Sequence, residues 1–233
     1  MNTKEILKGR VLSTIERVHQ ACAKINRPTA GVMVLAATKT QRPEVVVDYL
    51  HLCSEIGTAP LIGENYVQEW RDKRGGLSIV PQCHLIGPLQ RNKAKEAVTL
   101  FDCIETVHSE SVAEALNKAS GTISKTTDIF LQVNVSGDSA KSGFTLETAR
   151  RFVRDMLPQM PSLVCRGLMT ITRIYSDPEL GRGDYRKLAE LSRELAPSIG
   201  PALSMGMSSD YFVAIEEGAT IVRLGSAIFG ERI

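Results

Sequence analysis

Eight short apolar runs recur along the 233-residue chain, each parted from the next by a stretch with helical spacing. They cover residues 32–37, 60–65, 82–87, 103–107, 128–135, 163–169, 202–207 and 221–225. Alternation at this spacing argues for a parallel sheet, because parallel neighbours need a crossover helix to bring the chain back to the starting end. Eight such units close into a (β/α)8 barrel of the TIM type. The other architecture open to this pattern, a doubly wound open sheet, calls for a glycine-rich loop after the first strand. Thr38-Lys39-Thr40 stands there instead. No linker or change of composition divides the chain, so the expectation is one α/β domain over residues 1–233.

Before the first strand, Leu7, Val11, Ile15, Val18, Cys22 and Ile25 recur at steps of three and four, an apolar stripe along an extra, long N-terminal helix. Asn2 and Glu5 have the spacing of a capping box at its start. The sequence stops just past strand eight, so this helix is expected to fill the place of a closing helix in the outer ring. Further helices are expected at 43–56, with Pro43 in the first turn and Gly57 as the stop, and at 66–74, 90–100, 146–156 and 211–217. Ser109 stands as a cap before Val112, Ala115, Leu116 and Ala119, and Tyr185, Leu188, Leu191 and Leu195 mark one more helix. Segment 136–143 is polar and glycine-rich and reads as a loop. Stretch 174–183 carries no readable motif and is expected to be a mobile loop.

With 43% hydrophobic residues the chain can bury a sizeable core, and a net charge of +2 calls for no nucleic-acid partner. The five cysteines (Cys22, Cys53, Cys83, Cys103, Cys165) are widely spaced and never CxxC. They read as reduced core thiols, and no metal is expected. No signal peptide and no apolar run of about 18 residues appears. A cytoplasmic monomer without membrane association is the expectation. Arg91, Lys93 and Lys95 form a basic run, read as a solvated helix face.

In such a barrel the chemistry sits where strands emerge at their C-terminal ends. The residues there are polar or small: Lys39, Asn65, His84 with Gly87, Asn134, Met169 with Thr170, Met207 with Ser208, and Gly225 with Ser226. Lys39 follows an uncharged strand, where burial of an amine favours its neutral form, able to make a Schiff base. The loops after strands seven and eight have the make-up of a phosphate cup. Gly206 and Gly225 would let backbone N–H groups approach an anion, with Ser208 and Ser226 as further donors. Asp210 reads as the cap of the next helix. Arg223, two residues before Gly225, shares its strand face and could donate to a ring nitrogen. His84, among apolar neighbours, reads as a hydrogen-bonded core residue. Lysine, phosphate cup and arginine in one mouth together describe a site for pyridoxal 5'-phosphate (PLP).

The chain also resembles the pyridoxal phosphate homeostasis protein family. The matching stretches are Ala-Thr-Lys-Thr at 37–40, Gly-Glu-Asn-Tyr-Val-Gln-Glu at 63–69, His-Leu-Ile-Gly-Pro-Leu-Gln-Arg-Asn-Lys at 84–93, and Ala-Lys-Ser-Gly at 140–143. Gly-Leu-Met at 167–169, Ser-Met-Gly-Met-Ser at 204–208 and Arg-Leu-Gly-Ser-Ala-Ile-Phe-Gly at 223–230 follow in consistent order. The resemblance implies PLP fold type III, a barrel like the N-terminal domain of alanine racemase. It places the cofactor's Schiff base on Lys39 and its ring nitrogen against Arg223. The phosphate then falls to Ser208, Gly225 and Ser226, with Met207 beside them and Asn65 near the ring. Ile62 and Cys83 depart from the family, which carries aromatic residues there. The implied role is intracellular PLP (vitamin B6) homeostasis, with PLP-requiring apo-enzymes as candidate partners.

Two function classes compete. A carrier of PLP needs only the site, whereas an amino-acid racemase needs a second acid–base group across the ligand from Lys39. Alanine racemase takes that group from a tyrosine on a second β-domain, and the sequence ends without one. Tyr66, the tyrosine nearest a strand end, opens a helix and is expected to pack there. An arginine on the ring nitrogen also weakens the electron sink that carbanion chemistry draws on. Binding without committed turnover is therefore expected, with a racemase as the alternative. A cofactor-free Schiff-base aldolase would share the barrel and Lys39 but leaves Arg223 unexplained.

Overall fold

The computed structural model describes residues 3–138 and 140–231. Eight parallel strands close into one (β/α)8 barrel in chain order: β1 (Met33–Ala37), β2 (Leu61–Glu64), β3 (Gln82–Leu85), β4 (Cys103–Val107), β5 (Thr127–Gln132), β6 (Leu163–Met169), β7 (Ala202–Ser204) and β8 (Ile221–Leu224). The ring shuts where β1 pairs with β8, Leu35 opposite Arg223. Around it run α1 (Thr3–Lys24), α2 (Pro43–Glu55), α3 (Val67–Arg74), α4 (Ala94–Leu100), α5 (Glu110–Thr122), α6 (Leu146–Arg151), α7 (Arg182–Leu195), α8 (Tyr211–Glu216) and α9 (Ser226–Phe229).

Strand parity divides the apolar residues into two cores. Leu35, Ala37, Leu61, Ile86, Cys103, Phe130, Met169 and Ile221 fill the barrel interior. Their neighbours Ala36, Ile62, Cys83, Leu85, Ile104, Ile129, Leu131, Leu168, Val222 and Leu224 belong to the larger core beneath the helices. Burial on both faces is why these runs carry so little charge.

Helix α1 packs against α2, α8 and the four-residue α9, so it does fill the outer ring beside β8. It buries Leu7, Val11, Thr14, Val18, Ala21 and Cys22, each Leu or Val contributing about 1.5–3 kcal/mol. Ile25 lies beyond its end and is exposed, and Asn2 falls outside the described residues. Ser109 caps α5 by accepting the Val112 N–H. All five cysteines are buried free thiols. Among the described residues no helix is long and apolar enough to cross a membrane.

Several boundaries differ from the sequence pattern for local reasons. Strand β5 ends at Gln132 because the chain folds back, Val133 bridging Phe144 and Gly143 (φ +140) lying against the Asn134 backbone. Strand β7 ends at Ser204 because Gly206 turns the chain at φ +92. Residues 90–100 begin as a 3-10 turn at Arg91–Lys93, and α6 passes into a π-helical turn at Phe152–Met156. Within 174–183 the turn Pro178–Gly181 is capped by Asp177, and the Tyr175 hydroxyl donates to Asp184 at 2.6 Å.

Between β5 and β6 the register slips after Ile129 and passes over Arg166, whose guanidinium pairs with Asp128 at 2.8 Å. Gly167 then meets Ala202 of β7 so closely that a Cβ would run into the Ala202 carbonyl oxygen. Gly167→Ala is expected to destabilise the barrel by about 1–3 kcal/mol, or roughly 2–12 °C in Tm. The control is Gly183→Ala in α7, where a Cβ meets nothing within 4 Å. There a gain of about 0.5–1 kcal/mol is expected. Calorimetry on the two variants checks both signs.

Candidate functional site

At the C-terminal end of the barrel a cavity of about 380 Å³ opens between the β1, β2, β7 and β8 turns. Lys39, Asn65, Met207, Ser208, Arg223, Gly225 and Ser226 all lie on its wall. Ile86 and Ile171 face the same space as apolar walls. Lys39 is half-buried, two residues past the end of β1, while Ser226 at the rim is exposed. The Ser208 hydroxyl oxygen accepts the N–H groups of Gly225 and Ala227, both at 3.2 Å. Two backbone donors of the β8–α9 turn thus converge on one oxygen in the cavity mouth.

The floor is a chain of buried polar groups. Arg223 donates to the Ser204 hydroxyl at 2.8 Å and to the Thr170 carbonyl at 2.7 Å. Ser204 donates in turn to Glu105, whose other oxygen faces His84 Nδ1 at 2.7 Å. Burial alone would push the Glu105 carboxyl up. His84, Arg223 and Ser204 outweigh burial and hold it below its ordinary value. Burial lowers the Arg223 guanidinium and Glu105 opposes that shift.

The turn that carries Lys39 is tied down on both sides. Lys73 Nζ donates to the Thr38 carbonyl at 2.9 Å, to Glu64 Oε1 at 2.7 Å and to Glu69 Oε1 at 3.0 Å. The Thr38 hydroxyl donates to the same Glu64 oxygen at 2.7 Å, and the Thr40 N–H donates to Glu69 Oε1 at 2.6 Å. Burial raises the Glu64 pKa, opposed by Lys73 and Thr38.

Chemically, the wall offers an amine at one side, a fixed guanidinium at the deep end and two serine hydroxyls at the mouth. A ligand with an aldehyde, a ring acceptor and an anion would meet each in turn.

Other sequence assignments fall elsewhere. Gly206 packs under α8, where a Cβ would press on Ala214 and Tyr211, so its freedom serves packing rather than an anion. Asp210 makes no side-chain cap bond to α8, and its Oδ1 accepts the Met207 N–H at 2.7 Å instead. Asn134 is not on the cavity wall, and its Nδ2 donates to the carbonyls of Asp138 and Lys141. Tyr66 does not pack and is 58% exposed. His84 is the buried, hydrogen-bonded residue expected. The pattern did not reveal Glu105, Ser204, Glu64, Glu69 or Lys73. The signal in the sequence was a glutamate inside an apolar run, at 64 and again at 105.

Residues 16–233 match the family described as alanine racemase, N-terminal domain. The pyridoxal phosphate homeostasis protein of Aquifex aeolicus (strain VF5) is 36% identical over 227 residues, covering 96% of this chain and 97% of that protein. The protein of the same name from Vibrio cholerae serotype O1 is 37% identical over 231 residues, covering 95% and 93%. The solved structure of PipY from Synechococcus elongatus PCC7942 with PLP bound aligns at a TM-score of 0.77 and 31% identity, over 93% of this chain and 99% of that one.

Glu105→Ala would strand the Arg223 guanidinium in the barrel, and a loss of about 3–5 kcal/mol in urea unfolding is expected. Glu105→Gln keeps the shape and drops the charge. The folded pKa of Glu105 lies below its ordinary 4.5. Its ionised form therefore contributes stability that is complete above the unfolded value and is lost as pH falls through the folded one. Wild type should lose more stability on acidification than Glu105→Gln. Parallel pH profiles would contradict this.

Proposed function

The chain belongs to the pyridoxal phosphate homeostasis protein family, on the alanine racemase N-terminal domain barrel, and on that premise we propose that it holds PLP as a Schiff base on Lys39. Its role is intracellular PLP homeostasis as a single barrel domain, with no committed substrate reaction. One observation carries the reading: Lys39, Arg223 and the Ser208–Gly225 turn share the wall of one cavity.

The residues present fit the cofactor. PLP, when bound, supplies an aldehyde that condenses with a lysine amine, a C=N bond replacing C=O as one water leaves, and a ring able to draw off electron density. Lys39 provides the amine. The hydroxyls of Ser208 and Ser226, beside the backbone of Gly225, suit the phosphate oxygens at the mouth. Met207, Ile86 and Ile171 give apolar contact to a ring, and Asn65 a polar one.

Arg223 decides how much chemistry such a site favours. An arginine is always a donor, so a ring nitrogen facing it must accept and stays unprotonated. That blunts the electron sink. Among the described residues no tyrosine lines the cavity, and Tyr66 is exposed to solvent. Both points support carriage over racemisation. The five buried free thiols suit a reducing cytoplasm.

Mixing the purified protein with PLP is expected to give a visible absorption band that borohydride fixes covalently to Lys39. Lys39→Ala should lose the band, and neither enantiomer of alanine should be converted. A wild type without the band would sink the assignment. Conversion of alanine would favour the racemase.

A further inference from the structure

Lys39 stands between two threonines whose backbones are bound to one ion cluster. On its N-terminal side the Thr38 carbonyl and hydroxyl are held by Lys73 and Glu64; on its C-terminal side the Thr40 N–H is held by Glu69. Thr40 lies at φ +65, in the left-handed region that a β-branched residue seldom enters. Such a residue stays there only where its surroundings over-determine it. The fixed acceptor on Glu69 is what the Thr40 amide finds in that conformation.

The cluster is built for this place. Lys73 has a side chain only 5% exposed, in a position where lysines are rare unless paired. Its ammonium has three hydrogens, and the structure gives it three acceptors: one is the Thr38 carbonyl, the other two are the carboxylates that hold Thr38 and Thr40. Because Glu69 and Lys73 both ride on α3, that helix is pinned to the turn leaving β1. A side-chain network that only stapled α3 to β2 would have no need of the two backbone groups flanking Lys39.

We infer that Glu69, acting through the Thr40 N–H, and the Glu64–Lys73 pair, acting through Thr38, are positioning residues that aim the Lys39 amine into the cavity. The inference rests on the proposed role of Lys39. The step it serves is condensation of that amine with an aldehyde: the C=N bond forms, the C=O bond breaks, and the oxygen leaves as water with two hydrogens from the amine. No oxidant or reductant takes part. Misplacing the attacking nitrogen slows such a step even when the amine remains accessible, because reactivity depends on a near-attack geometry.

Glu69 is the residue to vary, since its side chain is 27% exposed and its loss leaves no sealed hole. Two readouts are taken on wild type, Glu69→Ala and Glu69→Gln: hydrogen exchange of the Thr40 amide without PLP, and the rate at which the Schiff-base band appears after rapid mixing with PLP. Glu69→Ala is expected to expose the Thr40 amide to exchange and to slow band formation by roughly tenfold or more. Glu69→Gln, whose amide oxygen can accept the same N–H, should restore most of both. Band formation at the wild-type rate in Glu69→Ala, alongside faster exchange, would overturn the inference and leave the PLP assignment standing. So would a Glu69→Gln variant as slow as Glu69→Ala. No band even in wild type would remove the PLP assignment and this inference with it.

Discussion

Arg223 carries its guanidinium into an interior otherwise filled by Leu35, Leu61, Phe130 and Ile221, and the desolvation of that charge has to be offset by whatever strand parity allows to face it. Four strands each supply one polar inward residue: His84 from β3, Glu105 from β4, Ser204 from β7 and Arg223 itself from β8. Glu105 is the counter-charge, and Ser204 relays it to the guanidinium. A slip of β8 by one residue would bring Val222 or Leu224 inward and turn Arg223 against the helices. The polar chain therefore acts as a register lock for the ring as well as the floor of the cavity.

Upon that rigid floor the mouth is assembled from turns whose backbones must come unusually close. Gly87, after β3, lies so near Asn65 that a side chain there would overlap the Asn65 backbone. Gly206 does the same beneath α8, which lets the β7 turn bring Met207 and Ser208 to the rim. Strand-borne residues thus fix one end of the cavity, and glycine-dependent turns set the other. Lys39 belongs to neither class, because it sits on a turn without glycine, and its placement falls to the Glu64–Glu69–Lys73 cluster.

How much of this could be read beforehand follows from the range of each signal. The eight strands were legible because burial on both faces strips charge from a whole run, a local pattern. Lys39, Ser208 and Arg223 were legible because a barrel fixes where strand ends must gather. Lys73 was not: it sits among Arg71, Asp72 and Arg74 and looks like a solvated helix end. Two of its three acceptors, on Thr38 and Glu64, come from other elements. Glu105 and Ser204 are 99 positions apart, so no spacing rule could join them. Tyr66, Asp210 and Gly206 were misplaced for the converse reason. Each has a sensible local role, and only the neighbouring element decides whether it is used.

Glu64 and Glu105 show how far partners rather than burial decide the state of a carboxylate. Both have no exposed side-chain surface, yet Glu64 is shifted up and Glu105 down. Glu105 has both oxygens satisfied, one by His84 and one by Ser204, with Arg223 behind. Glu64 receives Lys73 and Thr38 on the same oxygen, and its Oε2 is buried without a hydrogen-bond partner. Desolvation therefore wins at one site and loses at the other. The sign of their linkage to folding differs accordingly. Glu105 contributes stability above its unfolded pKa, whereas a raised Glu64 contributes below its unfolded pKa and loses that contribution as pH climbs through the folded value. The floor that holds Arg223 is thus strengthened by ionisation, while the cluster behind Lys39 carries an ionisation that burial opposes. An under-satisfied carboxylate persists in that second place because it anchors Lys73, and through Lys73 the carbonyl that precedes Lys39.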